Sequence, residues 1–395
     1  MLPEKTLGWG TSRSCIRELF EYGCRRKAEI GTENVFDYSL GNPSIPAPAC
    51  VNEAIAELLM GDSVALHGYT SAVGLASLRE AIAKDMNARY DAGIDANLIY
   101  VTCGAAAGLA SALKGMLLPG EKVVTFAPFF PEYRVFTEGA GGELVSVPPR
   151  EEDFQVDFAA LEAALDEKVK AIIVNSPNNP SGVVFSAETV AKLAETLRAA
   201  EEKFGHTIYL IADEPYRELV YDGVEVPCLT RYYDDTVICY SWSKSLSLPG
   251  ERIGYLAVSP RMKDAGLVFA SIAGAARSCG YVNAPSLMQR VVEKCIDMTS
   301  DISAYKKNRD ILYSGLTACG FDCVKPDGAF YLFVKSPEPD AKAFSEKAKK
   351  YELMLVPSDD FGVPGYVRVA YCVSEEMIVS SMPSFKKLAE EYGLI

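Results

Sequence analysis

Histidine is almost missing from this chain, with two residues, His67 and His206, among 395. A histidine-built metal centre or a Ser-His-Asp triad would have to use these two, and neither lies in an HExxH-like pattern. Histidine-dependent chemistry is therefore not expected. The eleven cysteines form no CxxC pair, and the nearest two, Cys319 and Cys323, have no partner pair at zinc-binding spacing. No run of about 18 apolar residues occurs, which removes a transmembrane helix from the reading. Positive charge is in deficit, with 39 Lys and Arg against 53 Asp and Glu, a formal net charge of −14. Phosphate backbones and anionic membranes are held by Lys and Arg, so neither is an expected partner. A small anion is a different matter, because one local pair of arginines can bind it against the global field. The opening Met1-Leu2-Pro3-Glu4-Lys5 has no basic region leading into an apolar run. Together with an odd number of thiols, this reads as a chain with reduced cysteines in the cytoplasm.

What is present is core. Hydrophobic residues make up 49% of the chain and charged ones 23%, which suits a globular protein, and the length suits two domains. Val- and Ile-rich runs recur at Leu98–Thr102, Lys122–Phe126, Leu144–Val147, Ala171–Asn175, Thr207–Ala212, Thr236–Tyr240 and Ile253–Val258. Their hydrophobicity is continuous rather than alternating, the mark of strands covered on both faces in a mostly parallel sheet. Helical patterns lie between them. Leu75, Leu78, Ile82 and Met86 share one face, as do Val190, Leu193 and Leu197 after Ser186, an expected N-cap. The alternation predicts an α/β domain. From about Ala284 the pattern changes to one long helix running through Glu293 and Lys307 toward Leu316. Short strands at Ala329–Val334 and Tyr366–Ala370 follow, as in a smaller α+β domain.

Four segments follow predicted strands and carry the chemistry. In Ser241-Trp242-Ser243-Lys244-Ser245, Lys244 lies just past a strand's C-terminal end, the edge where open α/β sheets bind ligands. Arg252 stands eight residues on. A Schiff-base lysine beside an anion clamp and an ordinary lysine in a polar loop both fit this spacing. Asp213 in Ile211-Ala212-Asp213-Glu214-Pro215-Tyr216 is either a carboxylate for a protonated ring nitrogen, with Tyr216 for a phenolic oxygen, or a helix-capping Asp. Asn175-Ser176-Pro177-Asn178-Asn179-Pro180 is by itself a turn. Thr102-Cys103-Gly104-Ala105-Ala106-Ala107-Gly108 opens a helix with small residues, where free backbone N–H groups can cradle a phosphate. It is not GxGxxG, which argues against a nicotinamide dinucleotide.

In this order, Gly104, Asn179, Asp213, Tyr216, Lys244 and Arg252 resemble the fold-type I, pyridoxal-phosphate-dependent aminotransferases of class I/II, the aspartate aminotransferase superfamily. The resemblance runs from Gly41-Asn42-Pro43 through Tyr69 and Gly74-Leu75 to Tyr366-Val367-Arg368-Val369-Ala370. It implies an amino-acid:2-oxo-acid aminotransferase working in ping-pong order. Lys244 would hold pyridoxal phosphate as a Schiff base and shuttle protons, and Asp213 would pair with the pyridinium nitrogen. Tyr216 and Asn179 would meet the phenolic oxygen, and Phe130 would stack on the ring. Ser241, Ser243, Arg252 and the backbone at Gly104, Ala105 and Ala106 would take the phosphate. Arg368 would take the substrate carboxylate, with Gly41 and Asn179 also at the substrate. Tyr69 would reach the neighbouring subunit's phosphate, which implies a homodimer with shared sites. The implied fold is a large domain with a mostly parallel seven-stranded sheet flanked by helices, plus a smaller α+β domain. Residues 1–45 would form an arm and small-domain segment, 46–290 the cofactor domain, and 291–395 the small domain. Ala106 stands where one subgroup carries a lysine or polar side chain for a second carboxylate, so a dedicated dicarboxylate specificity is not implied. A carbon–sulfur β-lyase sharing fold and cofactor is the alternative.

Overall fold

The computed structural model describes residues 2–11 and 14–395. Met1, the first residue of the segment read for a leader, lies outside them. Seven strands form the central sheet: β1 (Ile99–Thr102), β2 (Lys122–Phe126), β3 (Glu143–Val147), β4 (Val169–Asn175), β5 (Tyr209–Asp213), β6 (Thr236–Ser241) and β7 (Gly254–Val258). Their order is β1-β7-β6-β5-β4-β2-β3. Strand β7 runs antiparallel to β1 and β6, and the other pairs are parallel. Every residue of β1, β6 and β7 is buried, as expected of strands with helices on both faces.

Register decides what meets at the sheet edge. Asn175 lies opposite Asp213, and Asp213 opposite Cys239. Gly254 lies opposite both Ser241 and Thr102. The ends of β1, β4, β5 and β6 therefore present their following loops side by side. Helices Ala76–Tyr90 and Ala187–Phe204 pack Leu78, Ile82, Met86, Val190, Leu193 and Leu197 into one core cluster against the sheet. Ser186 Oγ accepts from the Thr189 N–H at 3.0 Å, so the expected cap is present.

A second core gathers around an antiparallel sheet of Val356–Pro357, Tyr366–Ala370 and Tyr331–Lys335. The N-terminal segment belongs to this part: Phe36–Asp37 pairs in parallel with Leu353–Met354, and Tyr38 is buried among the second core's side chains. The single helix expected from Ala284 to Leu316 is instead two, Ser286–Lys294 and Ile302–Ala318. Two hydrogen bonds break it. The Ser300 N–H, which an unbroken helix would use internally, donates to the Ser245 carbonyl at 2.6 Å. Asp301 Oδ1 accepts from the Ser303 N–H at 2.9 Å and starts the second helix. The break thus braces the turn that carries Lys244. Among the described residues no helix is long and apolar enough to cross a membrane.

Candidate active site

Strand β6 passes directly into the short helix Trp242–Ser245, capped by Ser241 Oγ on the Ser243 N–H at 3.1 Å. Trp242 is buried edge-on against Tyr240, a space-filling role that anchors the turn. Lys244 is thereby directed inward. Its Nζ donates to the Gly41 carbonyl at 2.6 Å and sits 5.2 Å from the Phe330 ring centre. Burial, helped by the charges of Arg368 and Arg252, lowers its pKa from 10.5 to about 8.

Beside it, the Ser241 and Ser243 hydroxyls are 2.6 Å apart, and Arg252 Nη1 donates to Pro249 O at 2.9 Å and to Ser243 Oγ at 3.5 Å. Gly104 lies against this cluster. Its φ is +85°, a backbone conformation that favours glycine, and a Cβ there would stand 2.8 Å from Arg252 Nη2. Helix Ala105–Met116 starts at Gly104 with no side-chain cap, leaving its first N–H groups to be met by something else.

Asp213 ends β5 and is buried. The Tyr133 hydroxyl donates to its Oδ2 at 2.5 Å, and Asn175 Nδ2 donates to its main-chain carbonyl at 2.8 Å. Oδ1 is buried with no partner. Burial pushes the carboxyl up to about 7, against the opposing effect of the Tyr133 bond. The Tyr216 and Tyr331 hydroxyls are 3.0 Å apart, and burial drives the Tyr216 pKa well above its ordinary value, keeping it a neutral phenol.

Arg368 sits on the central strand of the smaller sheet and is 3% exposed. Its Nη1 donates to Asn179 Oδ1 at 3.1 Å and its Nη2 to the Ser39 carbonyl at 2.6 Å, while Nε has no partner. Asn179 is itself fixed through its N–H, which donates to Asn175 Oδ1 at 2.8 Å.

Lys244, Asp213, Tyr216, Asn179 and Arg368 all line one cavity of about 280 Å³. Gly41, Ala105, Ala106 and Phe130 complete the expected part of its wall. Gly104, Ser241, Ser243 and Arg252 form the adjoining cluster. Tyr69 is elsewhere, 99% exposed on the single chain. Sequence reading passed over Asn175, Tyr133, Tyr331 and Ser39. Asn175 stood in a segment read only as a turn. Tyr133 lies three residues beyond Phe130, on the helix Glu132–Gly139, and hydrogen-bonds to the site through Asp213. Ser39 acts through its carbonyl, which no sequence pattern reveals. Ile16, on helix Cys15–Ile30, brings the N-terminal segment onto the cavity wall.

Pyridoxal phosphate fits this donor set. A protonated ring nitrogen has an unpartnered, buried carboxylate oxygen available at Asp213. A phosphate has a guanidinium, two hydroxyls and an uncapped helix start in one cluster, whose space a side chain at position 104 would fill. An aldehyde has the Lys244 amine.

Comparison with known proteins agrees. The family model described as aminotransferase class I and II matches residues 33–380. The chain is 31% identical to the aspartate aminotransferase of Thermotoga maritima over 371 residues, covering 93% of this chain and 95% of that one. It is 29% identical to the aspartate/prephenate aminotransferase of Thermus thermophilus, covering 88% and 89%. The crystal structure of an amino transferase from Eubacterium rectale superposes with a TM-score of 0.97 at 52% identity, covering 99% of each chain. That of Thermus thermophilus aspartate aminotransferase with maleate gives 0.87 at 25%, covering 98% and 99%. These relatives are aminotransferases, and no observation favours the lyase alternative. The chain belongs to the class I and II aminotransferases and is a pyridoxal-phosphate-dependent enzyme of that family.

Proposed function

We propose that this cavity exchanges an amino group between an amino acid and a 2-oxo acid in ping-pong order, with Lys244 as both the cofactor-holding and the proton-moving residue. The observation that carries this is the convergence of an inward-facing amine with lowered pKa, a buried free carboxylate oxygen and a buried arginine on one cavity. Bound pyridoxal phosphate supplies an electron sink for the charge that develops at the substrate α-carbon. The chain's residues do the rest. Asp213 accepts the ring N–H through Oδ1. Phe130 covers the ring face, and Tyr216 and Asn179 meet the phenolic oxygen. Ser241, Ser243, Arg252 and the backbone of Gly104, Ala105 and Ala106 bind the phosphate.

Arg368 binds the substrate carboxylate. Its planar fork, set by Asn179 and Ser39, suits bidentate binding better than an ammonium would. The Lys244 amine, with a pKa of about 8, is partly free base near neutral pH and takes the proton from the α-carbon at Nζ. Among the described residues Lys244 and Arg368 are the two cations on the wall, and none of those residues offers a further cation to a distal carboxylate. Names of relatives such as aspartate/prephenate aminotransferase set the donors worth testing.

The same proposal divides the chain into the arm of residues 1–45, the cofactor part 46–290 and the small part 291–395. It makes the enzyme a homodimer, the exposed Tyr69 ring serving the partner's phosphate, in the cytoplasm, where its eleven free cysteines stay reduced. The test is a panel of amino-acid donors, aspartate and aromatic ones included, with 2-oxoglutarate, oxaloacetate and pyruvate as acceptors. A donor alone should bleach the visible absorption of the loaded enzyme, and turnover should need an acceptor. Release of pyruvate and ammonia from cystathionine without an acceptor would contradict it.

A further inference from the structure

The two carboxylate oxygens of Asp213 have unequal surroundings. Oδ2 accepts from the Tyr133 hydroxyl at 2.5 Å and from Asn175 Nδ2 at 3.5 Å, and Oδ1 is buried without a partner. Tyr133 is fully buried on helix Glu132–Gly139, its ring edge-on to Phe130 with centroids 5.8 Å apart. A phenol has one proton to donate, and a carboxylate whose oxygens are chemically equivalent can rotate to offer either. The fixed hydroxyl therefore selects which oxygen is held and which is left for the cavity.

We propose that Tyr133 is a positioning residue for the transamination: its O–H holds Asp213 by Oδ2 as an anion and leaves Oδ1 for the cofactor's ring nitrogen. This rests on the reading of Asp213 given above. Packing alone would be served by a phenylalanine, and the hydroxyl is the part left to explain. Burial favours the protonated acid at Asp213, and the Tyr133 bond opposes it. Burial, and after it Asp213 itself, keep the phenol protonated, so it stays the donor. The other titratable neighbours acting on this pair are Tyr216 and, on β6, Cys239, both kept neutral by burial. On β4 the Asn175 amide carries no charge. Tyr133 is thus the donor that favours the ionised carboxylate, against burial, before a ring nitrogen meets it.

The experiment titrates apoprotein with pyridoxal phosphate, reading Kd by fluorescence quenching, and records the ring-nitrogen signal of 15N-labelled cofactor, which reports its protonation. Tyr133→Phe should weaken Kd about 10- to 100-fold, the range for losing a hydrogen bond to a charged group, and move the 15N signal toward the unprotonated value. Fluorotyrosine installed at position 133 keeps the ring, sharpens the donor and should hold the 15N signal at the protonated value; it also serves if Tyr133→Phe does not fold. Native Kd and 15N signal in Tyr133→Phe, with both lost in Asp213→Asn, would overturn the positioning role alone. An Asp213→Asn variant that kept both would overturn the reading of Asp213 and this inference with it.

Discussion

The two ends of the cavity are built in different ways. At the phosphate end, Ser241, Ser243, Arg252 and Gly104 come from loops of a single sheet, aligned because Ser241 and Thr102 share Gly254 as a partner. Arg252 reaches Ser243 across nine residues of sequence. At the carboxylate end, Arg368 comes from the smaller sheet and is held across separations of 189 and 329 residues, by Asn179 and Ser39. The first end is local geometry fixed by the large sheet. The second exists only when the smaller sheet, the Asn179 loop and the N-terminal segment pack together. Cofactor affinity should therefore depend on one sheet, and substrate affinity on how the two cores dock.

The largest effect should come where the ends meet. Lys244→Ala should lower turnover at least about 10⁴-fold in steady-state assays, since one residue carries both the covalent and the proton-transfer role, and Arg252 and Arg368 variants should be milder. Next, Arg368→Lys should raise the donor KM about 100-fold, because a point charge cannot reproduce the fork, and leave cofactor Kd within about threefold. Arg252→Ala should do the reverse, weakening cofactor Kd about 10- to 100-fold with donor KM unchanged at saturating cofactor. A shift of both constants in both variants would break the comparison. Gly104→Ala should weaken cofactor binding about tenfold and cost roughly 1–2 kcal/mol in denaturant unfolding, since it forces a side chain into a left-handed backbone beside Arg252.

The smallest effect is one of pH. The Lys244 amine should titrate near 8 in the apoprotein rather than at its ordinary 10.5. NMR of 13C-dimethylated lysines, with the signal absent from Lys244→Arg, reads this directly. Between those two values the unfolded chain binds more protons at this site than the folded one. Its contribution to stability therefore rises with pH across that window, and Lys244→Ala should flatten the rise.

Legibility in the sequence follows the same division. Lys122–Phe126 and Tyr366–Ala370 read correctly to the residue because buried strands carry continuous apolar runs. Lys244, Asp213 and Asn179 were visible because each follows such a run. Arg368 came from the resemblance alone. The helix break at 295–301 escaped because its cause, a bond from Ser300 to Ser245, joins distant segments. Tyr133 and Ser39 escaped because they act through another residue or through the backbone. Tyr69 lies on no part of this chain's own cavity.

The central claim is that Lys244 holds the cofactor. Borohydride reduction of the protein loaded with pyridoxal phosphate, followed by peptide mass mapping, tests it most directly. The account predicts one pyridoxyl-modified lysine, Lys244, and none at the site in Lys244→Ala. A modified residue elsewhere, or unchanged labelling in the variant, would contradict it.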